Sequence, residues 1–286
     1  MEQIVQALIN GLVSGSIYGL MAIGFTLIFG IMHVVNLAHG ELYMLGAFST
    51  LILVSLFQFN FFVALLIALL VVGALGFFIE RLVFHPLRQR ENSVLNTLLA
   101  SIGLSIFISN LVAQIAGSDM RSIPPPFSVD TIQLFGLTIS VQRLVVLFVT
   151  LLLVVALFWM IKYTKYGKAM RATAQDRDAA ALMGVNIRLI YGLTFALSAG
   201  LAAVAGGLIG SLYVVDPTMG LGPGMKAFII VILGGMGSVI GALVGALILG
   251  YAETFTTLLA AASFQDLVGF IILILVLLLR PNGLFG

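Results

Sequence analysis

Apolar stretches follow one another along this chain with only short polar breaks. They run at about 4–31, 40–57, 61–79, 94–116, 143–161, 189–213, 220–236, 239–260 and 267–279. A helix needs roughly 20 residues to cross a bilayer, so the last stretch is short and the seventh marginal. The pattern predicts an all-α, polytopic transmembrane helical bundle of about nine spans (eight to ten), some of them short or broken. It predicts one membrane domain over 1–286, with no soluble lobe.

The polar breaks orient it. Arg81, Arg88 and Arg90 fall in 80–91, six Lys or Arg in 162–188, and Arg280 after the last stretch, ten of the thirteen basic residues in all. Basic loops stay cytoplasmic, which predicts an N-terminus outside and a C-terminus inside. The seventh stretch must then cross and turn at 234–238. The outer loops become 58–60, 117–142, 214–223 and 261–266. In the second of these, Pro124, Pro125 and Pro126 favour an extended polyproline path.

Composition agrees. Charged residues make up 8% of the chain, against about 25% in soluble domains, and mean hydropathy is +1.21. A net charge of +2 gives no case for a nucleic-acid partner. The absence of cysteine excludes disulfides and thiolate chemistry. The start, MEQIVQALINGLV, lacks the basic n-region of a secretory signal, so the first stretch is expected to remain in place. No GxxxxGK[ST] loop, HExxH pair or other catalytic spacing occurs, so the chain is expected to be a non-catalytic subunit without cofactor or metal.

Two glycine tracts share a 4, 4, 5 spacing: Gly11, Gly15, Gly19, Gly24 and Gly237, Gly241, Gly245, Gly250. Such stripes let helices approach closely, which places both in the interior. The longest polar run, 163–187, separates two long apolar stretches. Ala169, Met170, Ala174, Leu182 and Met183 are expected to line one side of a short helix or helix pair there, with Gly167 and Gly184 at its ends. Two readings stand: a docking surface for a soluble partner, or a solvated loop whose charges only fix topology.

Two clusters are candidates for chemistry. Asn36, His39, Gly40 and Glu41 lie in MHVVNLAHGELYM, where Asn36 is a natural N-cap for the following helix and Glu41 sits in its first turn. If that helix begins within the membrane, its free amides suit a carboxylate; otherwise this is an ordinary cytoplasmic turn. The second cluster is Asp216, Pro217 and Gly220, in a run with Gly222, Pro223 and Gly224 that should not form regular helix. The alternative there is a plain outer turn. Glu253 is a partner for Lys226 if their helices are neighbours, and His85 is expected to be solvated.

Residues 178–184 carry the family signal. Asp178-Ala179-Ala180 followed by Gly184 resembles the Glu-Ala-Ala, three residues, Gly pattern of the coupling loop of ABC importer permeases, with Asp in place of Glu and no Leu-Pro downstream. Together with blocks 11–48 and 213–253, it resembles the permeases of branched-chain amino-acid ABC importers over nearly the whole chain. Lys226, Ala227 and Phe228 match that family's Lys-Ala-Phe helix. The resemblance implies a bacterial inner-membrane permease, paired with a second, homologous permease chain within membrane lipid. Two cytoplasmic ATPases would use the ATP, and a periplasmic or lipid-tethered binding protein would deliver substrate. It implies substrate-path roles for Asn36, His39, Gly40, Glu41, Asp216, Pro217 and Gly220. It implies ATPase-coupling roles for Gly167, Arg171, Asp176, Asp178, Ala179, Ala180, Met183 and Gly184. Similar permeases carry urea, short amides or aromatic acids. A stand-alone transporter or channel is the rival from another class, disfavoured because no chain of intramembrane charges suggests ion coupling. A membrane-embedded enzyme lacks any nucleophile–base spacing.

Overall fold

Each of the nine apolar stretches is a helix in the computed structural model, which describes residues 2–117, 119–124, 131–134, 137–259 and 262–285. In chain order the helices are α1 (Glu2–Met32), α2 (His39–Ser55), α3 (Phe61–Ile79), α4 (His85–Arg88), α5 (Ser93–Ala116) and α6 (Val141–Tyr163). There follow α7 (Lys165–Gln175), α8 (Arg177–Leu182), α9 (Ile187–Gly210), α10 (Leu221–Gly234), α11 (Val239–Leu259) and α12 (Gln265–Leu279). A π turn, Glu80–Phe84, joins α3 to α4. Among the described residues, six helices are long and apolar enough to cross a membrane. The others among the nine, α2, α10 and α12, have 17, 14 and 15 residues, which at about 1.5 Å per residue falls short of a roughly 30 Å hydrocarbon core.

α1 and α9 form the centre. α1 packs against α11 on one side and α9 on the other, and α9 packs against α2 and α3. The glycine stripes explain the closeness of the first pair: Gly250 lies against Gly15, and Gly11 lies under Tyr251. The matched spacing therefore marks two faces of one interface. α5 and α6 lie at the edge, each with a single buried stripe.

The ends of the helices sort onto two faces. On one, Arg143 at the start of α6 bonds Asn10 of α1, and β1 (Arg121–Ser122) pairs antiparallel with β4 (Val214–Val215). This brings the loops 117–142 and 214–223 together, as the span count expects. On the other face, Arg188 reaches His85 at 2.8 Å, and the C-terminal segment hydrogen-bonds the end of α10 through Leu284 N to Leu233 O, 2.9 Å.

The bundle is all-α as expected, with only short extended pieces at its rim: besides the β1–β4 ribbon, β2 (Thr131–Leu134) pairs antiparallel with β3 (Leu137–Ser140). The expected polyproline path lies partly outside the described residues, which do not include Pro125 and Pro126. Two expectations need correction. The Gly222-Pro223-Gly224 run is helical, because Pro223 falls in the first turn of α10, where its missing N–H has no partner to lose. His85 is half-buried and bonded to Arg188 rather than simply solvated.

Candidate functional site

The chain leaves α1 at Met32, doubles back through residues 33–38, and starts α2 deep inside. His33 takes a left-handed φ of 54° at this reversal. His39 Nε2 then lies 3.1 Å from the Met21 carbonyl, and its ring meets Phe25 edge-on at 5.6 Å. Gly24 leaves room for that ring. Met21 lies about 16 Å back along α1 from Met32, roughly half the hydrocarbon depth. The α2 N-terminus is therefore interior.

From the opposite face, residues 211–220 descend to the start of α10. Asp216 Oδ1 accepts from the Thr218 amide at 2.8 Å, shaping the turn before it, and Pro217 is buried. The two half-length helices meet at their N-terminal ends. Gly40 and Gly220 touch so closely that a Cβ on either would run into the other's carbonyl, and Gly224 lies beside Gly40. Only glycine fits at this crossing.

Asn36, His39 and Glu41 are all within 1% of full burial. Asn36 does not cap α2 as expected. Its Oδ1 accepts from Ala38 N at 3.2 Å, while Ala38 occupies the cap position without a side-chain bond. A tight turn held by Asn36 thus precedes the helix. α5 supplies two partners that sequence reading missed: Ser105 donates to Glu41 Oε1 at 2.9 Å, and Ser101 Oγ accepts from Leu37 N at 3.2 Å. Their four-residue spacing on one stripe of α5 was the available signal. Asn36 Nδ2, His39 Nδ1 and Glu41 Oε2 have no hydrogen-bond partner among the described residues. Each such buried orphan costs about 1–3 kcal/mol.

The polar run 163–187 is a helix pair, α7 and α8, as expected. Thr164 caps α7 by accepting from Gly167 N at 3.1 Å. Gly167 does not end a helix: it lies inside α7, close against the Met160 and Ile161 carbonyls, where it allows the turn from α6. Arg171 bonds the Ile161 carbonyl. Asp176 caps α8 by accepting from Asp178 N and Ala179 N at 2.9 and 3.0 Å. Gly184 follows α8 with φ +85°, the left-handed stop a glycine supplies.

The two helices present different sides. Met170 is buried, with Ala169 and Ala174 packed against the core, as expected. Leu182 and Met183 do not join them: they are 89% and 85% exposed. Ala180 is buried under its own chain, which accounts for its size, while Asp178 and Ala179 face out. The exposed apolar tip of α8 was not readable from spacing, because the break at Asp176 turns α8 away from the α7 register.

Two ion pairs complete the picture. Lys226 pairs with Glu253 at 2.9 Å, the pairing the sequence suggested, and Tyr18 donates to the same carboxylate at 2.9 Å. Glu80, buried at the end of α3, pairs with Arg88, whose guanidinium lies 4.2 Å from the Tyr191 ring centroid. An acid closing an apolar run was the signal for that second pair.

The family profile described as the permease component of the branched-chain amino acid transport system matches residues 7–277. The chain is 38% identical to the high-affinity branched-chain amino acid transport system permease protein LivH of Salmonella typhimurium, over 98% of this chain and 95% of that one. The Escherichia coli LivH matches to the same extent. So does BraD of Pseudomonas aeruginosa, a permease protein of the same description. No solved structure matches.

Proposed function

This chain belongs to the branched-chain amino acid transport permease family, and on that premise we propose that it is one membrane subunit of an ATP-driven importer of branched-chain amino acids. One observation in the fold carries the reading: α2 and α10 both begin in the interior and meet N-terminus to N-terminus at Gly40 and Gly220. Irregular backbone at membrane depth persists only where protein covers it or a pathway passes. Half-helices abutting at mid-depth are a recurring way to build a transport gate.

In this reading the junction is the gate, in its closed arrangement. Asn36, His39 and Glu41 supply polar groups whose spare donors and acceptors gain partners when the half-helices part and solute or water enters. Asp216 and Pro217 shape the segment that moves with α10. The tip of α8 docks a cytoplasmic ATPase, with Leu182 and Met183 as anchors and Asp178, Ala179, Arg171 and Gly184 around them. Gly167, Asp176 and Ala180 hold the pair in shape. ATP is used by the partner chains, and this subunit contributes no catalytic group. A second permease and a substrate-delivering binding protein complete the assembly.

The face bearing β1 and β4 is outward and the face bearing α7 and α8 inward, following the basic loops. In intact cells, a cysteine at Ser122 should react with an impermeant thiol reagent and one at Gln175 should not. The reverse pattern overturns the orientation. ATP-driven uptake of leucine, isoleucine or valine by the reconstituted complex tests the function itself, and uptake of urea or short amides alone would replace the substrate.

A further inference from the structure

Lys226 does more than pair with Glu253. It stands at a recess of about 260 Å³ between α10, α11 and α12, below the roughly 300–1,000 Å³ of sites for drug-sized ligands and suited to a smaller solute. The polar wall is Lys226, Glu253 and Asp266, and the rest includes Ile229, Leu249 and Phe270. A nearly buried ion pair such as Lys226–Glu253 is expensive in an apolar bundle, and it signals function when it lines a cavity.

The three charges are unequally held. Lys226 Nζ lies 2.9 Å from both oxygens of Glu253, which is almost fully buried, and among the described residues Oε1 has no hydrogen-bond donor aligned on it. Asp266 is 3.4 Å away and its side chain is 77% exposed. The cluster carries two carboxylates to one ammonium, an excess that suits a cationic group. Lys226 Nζ donates to Glu253 Oε2 and, at 3.3 Å, to the Tyr18 hydroxyl, whereas Asp266 holds it only as a 3.4 Å ion pair, a place an anionic group can take. Gly222, in the first turn of α10, adds open space: a Cβ there would meet nothing within 4 Å.

We propose that this recess binds the charged end of a zwitterionic, apolar amino acid. Its carboxylate takes the place of Asp266 on Lys226, and its ammonium bridges Asp266 and Glu253. Its hydrocarbon side chain lies on Ile229, Leu249 and Phe270. Leu221 and Gly222, directly after the Gly220 crossing, also line the recess, so the site adjoins the closed junction. It is a station that solute occupies before the half-helices part. Its place in transport rests on the importer reading, whereas its chemistry does not.

The chain has no cysteine, so one placed at Gly222 reports on the recess alone, and Met225→Cys at its rim is a second reporter. In membranes holding the complete complex, leucine should slow thiol labelling at Gly222→Cys by about tenfold when present at ten times its dissociation constant. Isovalerate, which has only the carboxylate, and isopentylamine, which has only the ammonium, should not protect. Asp266→Asn, at an exposed position, should abolish protection by leucine without loss of assembled complex. Lys226→Gln should do the same. Labelling unaffected by leucine at both reporters, or equal protection by either single-charge analogue, overturns the site and leaves Lys226 as a helix clamp. ATP-driven uptake in the same membranes scores the importer reading separately.

Discussion

The junction of α2 with α10 and the α7–α8 pair are built on opposite principles. At the junction, polar side chains are buried, backbones touch through Gly40 and Gly220, and three polar atoms lack partners among the described residues. At α8, apolar side chains are exposed, and Leu182 and Met183 project beyond the cover of the described residues. Each region therefore carries an unmet demand of the opposite sign. A buried polar orphan is relieved by opening, and an exposed apolar tip is relieved by docking. A permease driven from its cytoplasmic side needs one of each, joined by rigid helices. α7 packs against both α1 and α9, which flank the junction.

The largest expected effect is at the crossing. Gly40→Val places side-chain atoms where the Gly220 backbone lies, overpacking that costs typically 1–3 kcal/mol. Uptake should disappear while the ATPases still bind, as measured by co-purification. Retained uptake would mean that the crossing is not a gate. Next, Asn36→Leu and His39→Leu remove polar groups at the same place. Uptake should fall with the complex intact, and unchanged uptake would reduce the cluster to a structural turn.

On the other side of the comparison, Gly184→Val forces a β-branched residue into a left-handed φ, at a cost of about 1–3 kcal/mol. That should distort the end of α8 and weaken ATPase stimulation by loaded binding protein, leaving insertion normal. The smallest effect is expected for Arg188→Gln, which breaks the contact to His85. As an exposed polar contact it should change thermal stability by less than about 1 kcal/mol, with uptake near the unaltered level. A large loss there would show that the α4–α9 corner also takes part in coupling.

Much of this was legible in the sequence, for identifiable reasons. Helix α3 spans 61–79 as read, because length and apolarity are what a membrane span requires. The Lys226–Glu253 pair was legible because lone charges in apolar runs need partners. The depth at which α2 begins was not legible. Hydropathy reports how long a run is, not which neighbour its first residue meets, and here Met21 and Gly24 settle that. Asn36 as helix cap failed for a related reason, since the chain needed a turn before the helix and the Asx geometry serves that turn. The burial of Ala180 and the exposure of Leu182 escaped because one capping residue, Asp176, starts a new helix in a new direction.

The claim that a buried gate is driven from an exposed docking tip is tested most directly by two measurements on the same proteoliposomes. These are ATP hydrolysis stimulated by leucine-loaded binding protein, and leucine uptake, for Gly40→Val and for Leu182→Asp/Met183→Asp. The gate variant should keep ATP hydrolysis within about twofold of the unaltered complex, a difference of roughly 0.4 kcal/mol, while uptake is lost. The tip variant should lose both together, through failure to bind the ATPases. Normal hydrolysis and uptake in the tip variant, or normal uptake in the gate variant, would contradict the account.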